Sequence, residues 1–158
     1  MKTKLSFVGF AAVLFLSGCD YDAPLTATAT HPIDARLVGD WIPAGKEEEK
    51  DSPMHVRRWD DNTYAIAIEN DIYRTWHSDC AGLALVSAQD LNSDERKFCL
   101  YTWALSPDGA QLTLRRVRTE VVPDAAKTTA ALQAAVKANA ANPKLLDEPL
   151  VFQRQLKK

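Results

Sequence analysis

The sequence predicts a mainly β domain: an antiparallel meander of seven or eight short strands that closes into a small barrel, with one late α-helix. Three observations carry this expectation. Short stretches rich in β-branched and aromatic residues alternate apolar with polar, tight turn signals separate them, and an alanine-rich stretch with helical spacing appears only near the end. Many short strands in one sheet leave exposed edges, and rolling the sheet up removes them.

The domain opens at Leu37-Val38-Gly39-Asp40-Trp41. Gly45 to Pro53, with Glu47-Glu48-Glu49 between lysines, is by composition a solvated loop. Met54 to Trp59 follows as a short strand, Asp60-Asp61-Asn62 as a turn, and Thr63 to Glu69 as a strand with Tyr64, Ile66 and Ile68 on one face. Asn70-Asp71 makes the next turn, and Ile72 to His77 resumes the alternation. Both connections are short enough for hairpins, so these neighbours run antiparallel.

Leu83 to Ala88 is a further apolar run, bounded by the polar stretch Gln89 to Lys97. Phe98 to Leu105 and Leu112 to Val122 then form a long hairpin around Ser106-Pro107-Asp108-Gly109. There proline is preset for the second position of a turn and glycine is free to take positive φ. Arg115-Arg116 breaks the alternation and predicts a bulge. Thr129 to Ala141 favours helix, with Leu132, Ala135, Val136 and Asn139 on one stripe, Thr128 or Thr129 as its cap and Asn142-Pro143 as its stop. The stripe is thin, so the helix is expected to lie across the mouth or side of the sheet. Leu150, Phe152 and Leu156 alternate with Val151, Gln153 and Gln155 as a final strand.

Residues 1–18 stand apart from this pattern. Lys2 and Lys4 precede an apolar stretch from Leu5 to Leu16 and the small pair Ser17-Gly18, the layout of a signal peptide that is removed. The stretch is shorter than the roughly 20 residues a spanning helix needs. Leu16-Ser17-Gly18-Cys19 resembles the lipobox of bacterial lipoproteins, which implies a diacylated Cys19 thiol as the new first residue. Two or three acyl chains would then hold the protein on a membrane. An ordinary secretory signal with an incidental Cys19 is the alternative. Asp20 resembles the signal that keeps some Gram-negative lipoproteins in the inner membrane; the outer membrane is the other possibility. Residues 19–36 are small, polar or proline and read as the lipidated N-terminus and a flexible tether, with 37–158 as a single domain.

Removing 18 residues from 158 leaves 140, enough for one ordinary core. The two lysines lost from 19 Lys+Arg leave 17 against 21 Asp+Glu, a formal charge of −4, which speaks against a nucleic-acid partner. Of the three cysteines, the lipobox takes Cys19. Cys80 and Cys99 remain as an even pair in an oxidising compartment, where a disulfide is the default expectation.

The Leu37-Val38-Gly39-Asp40-Trp41 opening resembles the Gly-x-Trp start of lipocalin-like barrels, which implies a tryptophan packed under one end and a last strand closing on the first. The order of lipobox, tether, Gly-x-Trp strand, meander, helix and closing strand is similar to a group of uncharacterised bacterial lipoproteins, a resemblance that implies no activity.

The chemistry-bearing residues are few. His77-Ser78-Asp79 has hydrolase residue types, but three adjacent side chains diverge and do not assemble a triad. No nucleophile elbow, His-Glu-x-x-His or phosphate loop is present, so neither an enzyme nor a cofactor is expected. His77-x-x-Cys80 with Cys99 has zinc-ligand types, yet a disulfide beside a surface histidine explains them more simply, and no metal is expected. His31 and His55 read as ordinary polar residues. Trp41, Trp59, Trp76 and Trp103 are candidates to line a cavity for an apolar ligand, or else to fill the core. Arg57, Arg58, Arg74, Arg115, Arg116 and Arg118 form either a cationic stripe or a set of salt-bridged surface arginines.

The functional expectation is a non-enzymatic binding module, anchored to the bacterial cell membrane and facing the periplasm, for a protein or a small apolar ligand. The alternative is an inhibitor or immunity-type protein that binds a partner through Gly45 to Pro53 and Gln89 to Lys97. A hydrolytic enzyme is a distant third.

Overall fold

The computed structural model describes residues 19–45 and 52–156; the predicted signal segment and most of the Glu-rich loop lie outside the described residues. Eight strands form a closed antiparallel barrel: β1 (Gly39–Pro43), β2 (Met54–Arg58), β3 (Thr63–Ile68), β4 (Asp71–His77), β5 (Leu85–Asp90), β6 (Phe98–Leu105), β7 (Gln111–Arg116) and β8 (Leu150–Arg154). One helix, α1 (Thr129–Asn139), lies between β7 and β8, capped by the Thr128 side chain, which accepts from the N–H of Ala131. The meander expected from the alternation is present, and each strand pairs with its neighbour in sequence.

Closure is made by β1 and β8, with Trp41 opposite Arg154 and Pro43 opposite Phe152. The Gly-x-Trp opening has a physical reason here. The Arg154 guanidinium lies over the Trp41 ring at 4.3 Å and donates to the carbonyls of Val38 and Gly109. A Cβ on Gly39 would come within 2.6 Å of Arg154 Nη1, so glycine is the residue that leaves the guanidinium its place. Trp41 itself is fully buried and donates Nε1–H to the Leu37 carbonyl at 2.9 Å.

Two cores result. Inside the barrel, Trp41, Met54, Val56, Tyr64, Leu112 and Phe152 pack together. Outside it, Trp76, Leu85, Phe98 and Leu100 are covered by Leu132 and Val136 of α1 and by Tyr21 and Leu25. This explains why the mostly apolar run Leu83 to Ala88 does not alternate. The first four residues of β5 are buried on both faces, where an alternating strand would be buried on one. The thin stripe of α1 suffices because the helix lies on the side of the sheet and shares that cover with the N-terminal segment.

The N-terminal segment is the main correction to the sequence reading. Residues expected to hang free as a tether are packed against the barrel, with Tyr21 1 % and Leu25 0 % exposed. Where β7 leaves the edge of β6, Tyr21 takes its place and exchanges backbone hydrogen bonds with Phe98 at 3.1 and 2.8 Å. Farther along, Leu25 N–H donates to Ser87 Oγ, Trp76 Nε1–H to the Thr26 carbonyl, Thr30 N–H to the His77 carbonyl and Ile33 N–H to the Asp61 carbonyl. Each Leu or Tyr buried in this way contributes about 1.5–3 kcal/mol, enough to hold an irregular strap in place.

The expected bulge at Arg115-Arg116 is absent. The β6–β7 register runs evenly from Leu105 opposite Leu112 to Tyr101 opposite Arg116. Arg116 keeps the alternation of Leu112 and Leu114 and is held by Asp20 of the strap at 2.7 Å, so an ion pair replaces the distortion. The strand stops there instead of at Val122, because Val117 and Val122 turn into the outer core.

Candidate functional site

The barrel interior is nearly full. A cavity of about 40 Å³ remains between Ile66, Tyr73, Thr75, Tyr101 and Trp103, space for a few waters and far below the 300 Å³ of an ordinary ligand pocket. Thr75 Oγ1 is buried without a hydrogen-bond partner on its wall. The four tryptophans do not line one cavity. Only Trp103 borders it; Trp41 closes the barrel end, Trp76 belongs to the outer core and Trp59 is 52 % exposed. Strand parity is the reason, since Tyr73, Thr75 and His77 of β4 point inward and Trp76 between them points out.

A larger hollow lies on the outside. A cleft of about 430 Å³ is walled by Ala27 to Ala29 of the strap and by the β2–β3 turn at Asp60, Asp61 and Asn62, with Arg74 and Trp76 of β4 also lining it. The turn is fixed by its own chemistry. Asp60 Oδ1 accepts from the N–H groups of Asn62 and Thr63, both at 2.8 Å; the Asn62 bond first, then the Thr63 side chain, holds the carboxyl below its ordinary range. Asp60 Oδ2 meets Arg74 at 3.3 Å, and the Arg74 guanidinium sits 5.7 Å from the centre of the Trp59 ring. Asp61 is paired with Arg58. Arg74 Nε, on the β4 side of the cleft, is buried with no hydrogen-bond partner.

The strap that walls the cleft also carries His31. Its ring stacks on that of His77 with centroids 3.7 Å apart, and its Nε2 lies 3.3 Å from Asp79 Oδ2. His77 ends β4 pointing inward, buried, with Nε2 3.0 Å from Tyr64 Oη. Tyr64 Oη accepts the N–H of Asp34 at 2.6 Å. Burial, reinforced by His31, lowers the His77 pKa to about 4, so the ring is neutral at pH 7. Burial likewise pushes Tyr64 up to about 12.

The cysteines are arranged differently from the expectation. The structure pairs Cys19 with Cys99, Cα atoms 4.6 Å apart, and leaves Cys80 as a free thiol, pushed up by burial. The expected Cys80–Cys99 bond is therefore replaced, because the docked strap delivers Cys19 to Cys99. Cys80 instead lies in a tight turn, exchanging backbone hydrogen bonds with Leu83.

No triad forms at His77-Ser78-Asp79: Ser78 points away, its Oγ contacting Ser87 Oγ at 2.9 Å and Thr26 Oγ1 at 2.7 Å, whereas His77 and Asp79, two residues apart, bring their polar atoms to one side beside His31. His55 is paired with Asp40 at 2.7 Å. The arginines are salt-bridged, Arg57 to Asp40, Arg58 to Asp61, Arg74 to Asp60, Arg116 to Asp20 and Arg118 to Asp147, while Arg115 donates to the Asp147 carbonyl. The sequence reading missed His31 as a site residue; its partners come from β4 and the residues that follow, and no local spacing announces them.

No protein-family model matches this chain, and no curated protein or solved structure is significantly similar to it.

Proposed function

We propose that this chain is a lipid-anchored, non-enzymatic binding module facing the periplasm, and that it engages a partner protein through its outer cleft. The observation that carries this reading is the contrast between the two hollows, about 40 Å³ inside the barrel and about 430 Å³ outside it. A carrier of apolar ligands needs an interior pocket of several hundred Å³. A concave outer surface beside an exposed tryptophan suits a protein segment that fills the cleft. The inhibitor-type reading uses the same surface, with the strap and the β2–β3 turn in place of the two loops expected to form the rim.

The anchor is assigned to Cys19 on the strength of Leu16-Ser17-Gly18-Cys19. A thioether at Cys19 excludes its bond to Cys99, so a given chain carries one or the other. Because Asp20 and Tyr21 are held on the barrel, the anchor would keep the domain against the bilayer, without a leash.

Crosslinking in intact cells followed by pull-down of the anchored chain tests the reading. A discrete protein is expected that the Trp59→Ala and Asp61→Arg variants no longer recover while their thermal unfolding is unchanged. Recovery unaffected by both substitutions would place the partner elsewhere.

A further inference from the structure

We propose that His31, His77 and Asp79 form a binding site for a late first-row divalent metal ion of the zinc class. One ring nitrogen of each histidine and one carboxylate oxygen of Asp79 lie within 4.8 Å of one another. Two imidazoles and a carboxylate are donors that zinc accepts, at about 2.0–2.2 Å and in tetrahedral array. In such an array two ligand atoms stand about 3.3 Å apart, and His31 Nε2 and Asp79 Oδ2 are 3.3 Å apart. An ion pair between an exposed histidine and an exposed aspartate would explain that distance alone. It leaves aside the second, buried imidazole, whose ligating nitrogen lies within 4.8 Å of both other donor atoms.

The three side chains are held before any ion arrives. Thr30 N–H donates to the His77 carbonyl at 2.9 Å and Asp79 N–H donates to Thr30 Oγ1 at 3.1 Å, which locks the strap to the chain where it leaves β4, between the two β4-side ligands. A ligating histidine uses one nitrogen and gives the N–H of the other to an oxygen. His77 has that oxygen in Tyr64 Oη, 3.0 Å from Nε2, with the Asp34 N–H fixing the tyrosine from the other side. In the tautomer that donates Nε2–H to Tyr64, Nδ1 is the nitrogen left for the metal. His31 and Asp79 have side chains 45 % and 44 % exposed, so the ion can enter from solvent and keep a fourth position for water or for a donor from elsewhere.

The test uses the full chain, stripped with a chelator and titrated with zinc by calorimetry and with cobalt(II) by visible absorption. One equivalent is expected to bind with a dissociation constant below about 0.1 mM, cobalt giving the intense bands of a tetrahedral site. Because His31 and Asp79 are exposed, His31→Ala and Asp79→Ala retain the fold and should each weaken binding at least about tenfold, and Tyr64→Phe by about tenfold through the orientation of His77. His55→Ala and Cys80→Ser should bind as the parent does. No binding of either ion at about 0.1 mM, binding unchanged in both His31→Ala and Asp79→Ala, or binding that follows His55 or Cys80 would overturn the assignment.

Discussion

Cys19 is bonded to Cys99 on β6, so the first residue after the predicted signal segment is fixed to the barrel wall. The bond closes a loop with a sequence separation of 80. On the chain-entropy model a loop of that size stabilises by about 4.5 kcal/mol. In a chain expressed without lipidation, Cys99→Ser should lower the unfolding free energy by about that amount in urea, with Cys80 the one thiol that alkylates in the parent under non-reducing conditions. In the chain recovered from membranes, mass spectrometry should instead find diacylglycerol on Cys19, and Cys19→Ala should leave the membrane fraction. A Cys80 that is blocked in the soluble chain, or a Cys19→Ala variant that stays with the membrane, would contradict this division.

The strap is part of the folded core. Leu25→Ala removes a side chain that is 0 % exposed and should cost about 2–5 kcal/mol, the range of buried leucine truncations. The comparison is Leu156→Ala, at 81 % exposure, which should change stability by less than about 0.5 kcal/mol. Equal, negligible effects would return residues 19–36 to a loose tether.

How much of this was legible in the sequence follows from what produces a periodic signal. β6, Phe98–Leu105, is read residue for residue, because a proline-glycine turn ends it and aromatic residues fill it. β7 was overrun, since Val117 and Val122 are as apolar as strand residues but pack outside the barrel. The strap was missed because an irregular segment that docks by two side chains, Tyr21 and Leu25, and by backbone hydrogen bonds shows neither of the periodicities that mark helix and strand. His31 was missed with it. The placement of Trp76 outside the barrel was available from its parity with Tyr73 and Thr75 on β4.

Asp40 links stability to pH. His55 first, then Arg57, holds its carboxyl below the ordinary range. A carboxylate with a folded pKa below its unfolded value of about 3.9 stabilises at pH values above that figure, and the stabilisation is lost as pH falls through the lower, folded value. The pair is near the surface, so the magnitude is about 1 kcal/mol at neutral pH. Asp40→Asn should therefore be less stable than the parent at pH 7 and equal to it near pH 2, checked by urea unfolding at both. A deficit that persists undiminished at low pH would assign the loss to packing.

The central claim is that recognition occurs at the outer cleft, and it is tested most directly by photo-crosslinking from defined positions in intact cells. Thr28 and Asn62 are exposed on opposite walls of the cleft, whereas Ala104 is exposed on β6 and takes no part in it. A photoreactive residue at 28 or at 62 should yield the same discrete protein adduct, with none from 104. An adduct from 104 alone, or equal adducts from all three, would contradict the account.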